Sequence, residues 1–379
     1  MYHGFHSGDI RKMAMQYRQL GRTGLKVSVT GLGSLGFLRA KSSPEDVAKM
    51  VDRAHAGGMN FLDTGYAYGR GECDKMIGKA IEKNSSDWVI LARSHMRDPA
   101  EFETTMNETF DNLRRDVLDI FQLHDITRPA DYEATKQPGS IYDVALKAKE
   151  QGRIRFLGIS THATAEIVRD MIESGRYDVI TISYNVANSQ RNFADGEDMA
   201  RTADELLPLA AEHGIGITIM KPFGGGVLVQ TRIGPDGKEV SIPPLDLLRF
   251  CVTNPLVACV TPGVENVEHV DVAVAAGQAG AELSPAEIEH LKRIADIWGK
   301  DFCRKCGYCL PCTQNIVIPA ALQVLETFKN GQLESGKKAY EKLDPKPDEC
   351  TECGVCAERC PYSLPIPEKM KQLVQFYES

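Results

Sequence analysis

Eight of the eleven cysteines in this chain lie beyond residue 302, in two tight runs. The first reads Cys303-x2-Cys306-x2-Cys309-x2-Cys312, the second Cys350-x2-Cys353-x2-Cys356-x3-Cys360, followed by Pro361. Thiolates spaced this closely can surround an iron–sulfur cube, and two runs point to two cubes. The second run matches the bacterial C-x2-C-x2-C-x3-C-P pattern to the residue. The first is one residue short before its last cysteine and carries Thr313 where proline is usual. Other uses of cysteine fit less well. Structural zinc pairs two close cysteines with a distant second pair, rather than packing four thiols into one short stretch. Disulfides belong to oxidising compartments, whereas here the cysteine count is odd and residues 1–20 are polar and charged, without a leader's apolar run. Cys73, Cys251 and Cys259 stand alone and read as packed or surface thiols.

The rest of the chain must position whatever these centres serve. With 379 residues, 42% of them hydrophobic and 25% charged, it can bury a large core and form more than one unit. No apolar stretch is long enough to span a bilayer. A formal charge of −8 argues against nucleic acid or an anionic membrane as a main partner. Exposed clusters are sensitive to oxygen, so a reducing cytoplasm is the expected setting.

From Gln16 to Ala276 short apolar runs alternate with amphipathic segments. A hairpin (QYRQL, then GRTGLKVSVTGLG) opens the series. Strands are expected at Val27–Leu32, Asn60–Thr64, Trp88–Ala92, Leu118–His124, Ile154–Ser160, Val179–Tyr184, Ile215–Met220 and Val257–Thr261. Helices fill the gaps. Ser43-Pro44-Glu45 is a start signal, and Val47, Met50, Val51 and Ala54 then repeat at helical spacing. Further helix starts fall near Pro99, Ser140, Thr164, Met199, Pro244 and Val267. Eight strand–helix units predict a closed parallel (β/α)8 TIM barrel over residues 15–300, preceded by a short extension, 1–14. The competing open doubly wound sheet has only GLGSLG (Gly31 to Gly36) in its favour, with no suitably placed acid after the second strand. A helix over Ser284–Trp298 follows the barrel. Residues 301–379 then form a mainly helical cluster unit, with helices at Ala320–Phe328 and Ser335–Leu343. The Thr231–Pro244 loop, turning at Gly234-Pro235-Asp236-Gly237, is the longest clear insertion on the barrel.

Barrel chemistry sits at the C-terminal ends of the strands. Those ends carry DTGYAYG (Asp63 to Gly69), Gln122-Leu123-His124, Gly158-Ile159-Ser160-Thr161-His162 and Met220-Lys221-Pro222-Phe223-Gly224-Gly225-Gly226. In this order, and with the tandem cysteine runs, the chain resembles the aldo-keto reductase family, in particular members with a C-terminal ferredoxin-type domain holding two [4Fe-4S] clusters. The resemblance covers nearly everything from Met15 onward. It implies crossed ligation, with Cys303, Cys306, Cys309 and Cys360 on one cube and Cys350, Cys353, Cys356 and Cys312 on the other. It also implies a tyrosine, Tyr68, that donates a proton to a carbonyl while nicotinamide hydride attacks the carbon. Asp63 and His124 match two of the three family residues that tune and orient that tyrosine.

The third, a lysine after strand three, is missing. Simple alignment puts Ser94 there. Arg93 should point to the opposite face unless a bulge turns it or His95 inward, and Lys221 is a cation from another direction. On the cofactor side, Ser160 matches a family serine at the nicotinamide amide, and Tyr184-Asn185 also matches. Thr161, Thr181 and Met220 replace the usual asparagine, glutamine and aromatic. The amides of Gly224, Gly225 and Gly226 can approach a pyrophosphate. Residues 262–266 lack the cations that would grip a 2′-phosphate, and His269 and Ala273 replace an expected arginine and asparagine, so NADP preference is not implied. The expected function is therefore an oxidoreductase exchanging hydride between NAD(P)H and a carbonyl or hydroxyl compound, with clusters relaying single electrons to a protein carrier. Hydride moves two electrons and a cube one, so the two do not couple directly. The absent lysine and the diluted nucleotide contacts motivate an alternative, redox-neutral elimination or isomerisation beside a carbonyl. A third option is an electron-carrier subunit with the barrel as scaffold. Arg128, Tyr132 and Lys136 lie on the long connection after His124, which is expected to roof the pocket.

Overall fold

The computed structural model describes residues 14–187, 202–234, 236–298, 302–305, 307–360 and 362–379. Cys306, the helix start expected at Met199 and all but the last residue of the expected extension lie outside that set.

Eight strands form one sheet: β1 (Leu32–Gly33), β2 (Phe61–Asp63), β3 (Val89–Ser94), β4 (Leu118–Leu123), β5 (Ile154–Ser160), β6 (Val179–Ser183), β7 (Gly216–Met220) and β8 (Cys259–Val260). Each pairs in parallel with the next in sequence. Parallel bridges Thr30–Val260 and Gly33–Gly263 join the last strand to the first, so the sheet closes into a barrel. A right-handed helical crossover is the economical way to link parallel neighbours, and helices such as Pro44–Ala56, Pro99–Leu113, Ile141–Glu150 and Ala165–Glu173 supply it. Their starts are chemically marked. Ser43 Oγ accepts from the Asp46 N–H at 3.2 Å, and Asp98 caps the helix that begins at Pro99.

The first expected strand, Val27–Leu32, divides in two. Lys26–Ser28 pairs antiparallel with Tyr17–Gln19, and only from Thr30 onward does the chain join the barrel. This hairpin closes the barrel floor, where Leu20, Leu25 and Val27 pack on Phe61, Leu91, Ile120 and Val179. Side chains pointing the other way, such as Ile90, Ala92, Phe121 and Ile159, belong to the main core between sheet and helices.

Beyond Trp298 the chain builds a second core from Ile316, Leu322, Leu325, Phe328, Leu364, Ile366 and Leu373, with Cys309 and Cys356 buried in it. Its helices are Ile318–Lys329, Leu333–Tyr340, Val355–Glu358 and Ile366–Glu378. The two cores are tied together. The barrel's insertion folds as a small hairpin, Arg232–Ile233 against Glu239–Val240, and Arg232 pairs with Glu326 of the second core in a nearly buried ion pair. Just before the second unit, the Trp298 indole donates to Val227 O at 3.0 Å within the barrel's own core. Among the described residues no helix is long and apolar enough to cross a membrane.

Candidate active site

The barrel interior above its apolar floor is polar. Gln122 on β4 bonds Thr181 on β6 at 2.9 Å, and Thr181 bonds Thr218 on β7 at 2.6 Å. Asp63, at the end of β2, accepts from Thr261 at 3.1 Å and forms an ion pair with Arg93 at 2.5 Å, both side chains almost wholly buried. This corrects the sequence expectation for strand three. β3 carries no bulge. Its ordinary alternation sends Leu91 and Arg93 into the barrel and Ser94 outward, where its hydroxyl bonds Thr105 of the next helix at 2.7 Å. The one-residue error lay in the alignment, and Arg93 is the buried cation. His95 is exposed at the rim.

The loop after β2 wraps over that pair. Thr64 N donates to Leu91 O and Tyr66 N to Arg93 O, each at 2.9 Å, lacing the loop to β3. Gly65 is required here: a Cβ on it would come within 2.8 Å of the Arg93 side chain. Tyr68 follows, half-buried, with its ring edge-on to His124 at a centroid distance of 5.9 Å. Burial pushes the Tyr68 phenol up to about 12, with Arg93 opposing and Asp63 adding to the rise. Burial also pushes Asp63 up, against the pull of Arg93 and Thr261, while a guanidinium holds its proton throughout. His124 is driven well below the usual histidine range, by burial first and then by Arg93 and neighbouring cations including Lys221. Its Nδ1 is buried without a hydrogen-bond partner, as suits a neutral ring.

Asp63, Tyr68 and His124 are thus brought together, with Arg93 as the member that sequence reasoning misplaced. Ser160 Oγ accepts from Asp125 N at 3.0 Å, and Asn185 Nδ2 donates to Lys221 O at 3.0 Å, so both stand at the rim opposite Tyr68's loop. Lys221, in left-handed backbone (φ 55°), extends Nζ to within 3.2 Å of His162 Nε2. The triple glycine admits close neighbours at two positions: a Cβ on Gly224 would come within 3.1 Å of the Phe302 ring. A Cβ on Gly225 would meet the Arg304 carbonyl at 2.3 Å, whereas Gly226 faces open space. That opening fits a ligand approaching the peptide of Gly226.

Cys312, Cys350, Cys353 and Cys356 line one cavity with Ile316, Val355, Ile366 and Met370. A sulfur from the first run therefore shares a space with three of the second. Among the described residues no three His, Cys, Asp or Glu side chains close on a single ion. Thiolates disposed around a void fit a cube instead. Donors already face the sulfurs: Gln314 N reaches Cys312 Sγ at 3.4 Å, Lys305 N reaches Cys303 Sγ at 3.3 Å, and Thr313 Oγ1 lies 3.3 Å from Cys353 Sγ. That hydroxyl, then the Val355 amide, draws the Cys353 thiol below its ordinary range. The described cysteines form no disulfide.

Residues 29–245 match the aldo/keto reductase family model, and residues 302–365 match a 4Fe-4S dicluster domain. The chain is 28% identical over 299 residues to an L-galactose dehydrogenase of Arabidopsis thaliana, covering 69% of this chain and 88% of the relative. It is 27% identical over 248 residues to a 6-dehydroglucose reductase of Novosphingobium aromaticivorans, covering 58% and 73%. In fold it is similar to the holo form of an aldo-keto reductase from Bacillus halodurans, with a TM-score of 0.59, 23% identity and coverage of 74% of this chain and 96% of that one. A Klebsiella pneumoniae aldo-keto reductase in complex with NADPH superposes with a TM-score of 0.58, 19% identity and coverage of 75% and 96%. The chain belongs to the aldo-keto reductase family of oxidoreductases and adds to its barrel a C-terminal iron–sulfur domain of the dicluster type.

Proposed function

We propose that the barrel exchanges hydride between a bound nicotinamide and a small carbonyl or hydroxyl compound, with Tyr68 moving the proton. The observation that carries this reading is the buried Arg93–Asp63 pair beneath Tyr68. NAD(P)H, when bound, supplies the hydride. Tyr68, pushed up to about 12, stays protonated at neutral pH and acts as the acid in the reduction direction. Its proton goes to the substrate oxygen as that oxygen gains negative charge. Arg93 offsets the charge left on the phenolate, and Asp63 keeps the guanidinium in place. Neutral His124, against the ring edge of Tyr68, orients the same oxygen. Ser160, Asn185, Lys221 and Gly224 to Gly226 form the nucleotide's side of the rim. Names among the relatives, L-galactose dehydrogenase and 6-dehydroglucose reductase, support a carbonyl–alcohol couple, and the Klebsiella structure's NADPH supports the cofactor class. The case for redox-neutral chemistry rested on a missing cation and on diluted nucleotide contacts, and Arg93 removes the first of these.

In the C-terminal domain, Cys303, Cys306, Cys309 and Cys360 hold one [4Fe-4S] cube and Cys312, Cys350, Cys353 and Cys356 the other. Bound cubes supply one-electron transfer. Cys353 is exposed, which suits exchange with a protein carrier.

Anaerobic stopped-flow absorbance tests the barrel reading. NADH or NADPH should be consumed with a panel of aldehydes, ketones and aldoses, and Tyr68→Phe should lower kcat by about 10²- to 10⁴-fold with nucleotide affinity retained. No consumption with any carbonyl, or full activity in Tyr68→Phe, would refute it.

A further inference from the structure

The cluster segment does not merely sit beside the barrel. Tyr308 occupies the two-residue gap before Cys309, and Tyr362 follows Cys360 by two. Both reach the same barrel residue. Tyr362 OH lies 3.1 Å from His162 Nδ1, and the Tyr308 ring stands 5.4 Å from the His162 ring. His162 is buried and neutral, driven down by burial and then by Lys221. Lys221 can only donate, so His162 Nε2 accepts from it and Nδ1 carries the proton given to Tyr362. Tyr308 goes deeper. Its hydroxyl bonds the Asp125 carboxylate, next to His124, and it lies near enough to act on the charge of Arg93. Lys221 Nζ stands 5.9 Å from its ring centre. Behind it the backbone of Arg304 lies directly on Gly225, and Phe302 packs against Gly224.

We propose that Tyr308 is a specificity-determining wall of the reaction chamber, contributed by the cluster-binding segment and braced by Tyr362 on His162, so that iron loading assembles the barrel's mouth. The inference rests on the hydride-transfer reading for what the chamber does, but its structural core does not need it. Ligation of a cube at Cys309 and Cys360 would fix the backbone immediately after Tyr308 and just before Tyr362. Losing the cube frees both tyrosines from His162, and the mouth loses one side. A chamber closed by a tyrosine that bonds Asp125 favours a substrate able to hydrogen-bond that phenol, hence a polar, hydroxyl-bearing carbonyl compound over an aliphatic one.

Two measurements on the full chain test this. In hydrogen–deuterium exchange under anaerobic conditions, stripping iron with a chelator should raise exchange at least several-fold in barrel peptides covering 160–163 and 220–226, while peptides of the barrel floor stay unchanged. Equal exchange at the mouth with and without iron overturns the proposal, whatever the fate of the hydride reading. In steady-state kinetics of the iron-loaded enzyme, Tyr308→Ala should raise KM for polar aldoses roughly ten-fold while changing kcat less, and Tyr308→Phe should fall between. An unchanged KM in an enzyme whose activity still depends on Tyr68 overturns the role of Tyr308 and leaves the hydride reading standing. Loss of activity in wild type and every variant, with the exchange result as expected, removes the hydride reading and leaves the assembled mouth.

Discussion

In the proposed mechanism Arg93 is the residue on which the rest depends, because without it Asp63 is a lone buried carboxylate beneath a phenol. Arg93→Met should therefore cost about 3–5 kcal/mol of stability, the usual result of leaving one partner of a buried pair uncompensated. It should also lower kcat. Arg93→Lys keeps the charge and should retain more of both, which thermal unfolding and single-turnover rates would show. The converse, an Arg93→Met protein as stable and active as wild type, would remove the pair from the mechanism. The pH profile belongs to this scale too. A Tyr68 phenol pushed up to about 12 remains an acid, so the reduction rate should stay level from pH 7 to about 10 and decline only beyond. A fall with an apparent pKa near neutrality would mean that another group donates. That Asp63, Tyr68 and His124 lie together is expected from the resemblance of the strand-end motifs to the family, and the fold does bring them together. Arg93 was not legible in the sequence, for a physical reason: Val89 to Ser94 is covered on both faces, so no polar–apolar alternation reveals which residues point inward. A one-residue slip then exchanges the faces without any visible conflict.

At the scale of elements, the loop after β2 depends on a carboxyl that the chemistry does not use. Asp74, in the helix Glu72–Ala80, accepts from Thr64 at 2.6 Å, and Thr64 in turn accepts from Ser34 at 3.0 Å. Thr109 approaches its other oxygen at 3.4 Å. Burial raises Asp74 to about 6, the threonine bonds only partly opposing it. Since the folded state holds this proton more tightly than the unfolded chain, its contribution to stability is complete below about pH 4. It is lost as the pH rises through about 6, roughly 3 kcal/mol in all. Asp74→Asn cannot ionise, so its stability relative to wild type should improve by roughly 1 kcal/mol between pH 5 and pH 8. Urea unfolding at the two pH values measures this, and parallel behaviour of the two proteins would count against it. The strand–helix order and most helix starts were legible because caps such as Ser43 and Ser284 are local chemistry. The division of Val27–Leu32 was not. A hairpin strand and a barrel strand run on in one apolar stretch, and only the pairing partners, Tyr17–Gln19 and Val260, tell them apart.

At the scale of the whole molecule, both units announced themselves in sequence, but their mutual arrangement did not. The contacts of Tyr308 and Tyr362 with His162, and of Arg232 with Glu326, join residues far apart in the chain that share no periodic pattern. Only the fold brings them together. The same arrangement makes the crossed ligand sets testable. Cys312 comes from the first cysteine run yet lines the cavity of Cys350, Cys353 and Cys356, and Cys353 is exposed while Cys309 is buried. The cube held at Cys353 should therefore be the one that a soluble oxidant or chelator removes first, with the other following slowly. Under crossed ligation Cys312→Ala loses the exposed cube: iron per chain falls by about half, and the fast phase of chelation disappears while the slow phase stays. Cys360→Ala does the opposite, keeping the fast phase and losing the slow one. If each run held its own cube, the two variants would exchange these behaviours, because Cys312 would then belong with the buried Cys309. Iron analysis and chelation kinetics on the two anaerobically purified variants separate the arrangements. The Cys360→Ala protein should also lose the ordered mouth around His162, since its missing cube is the one flanked by Tyr308 and Tyr362.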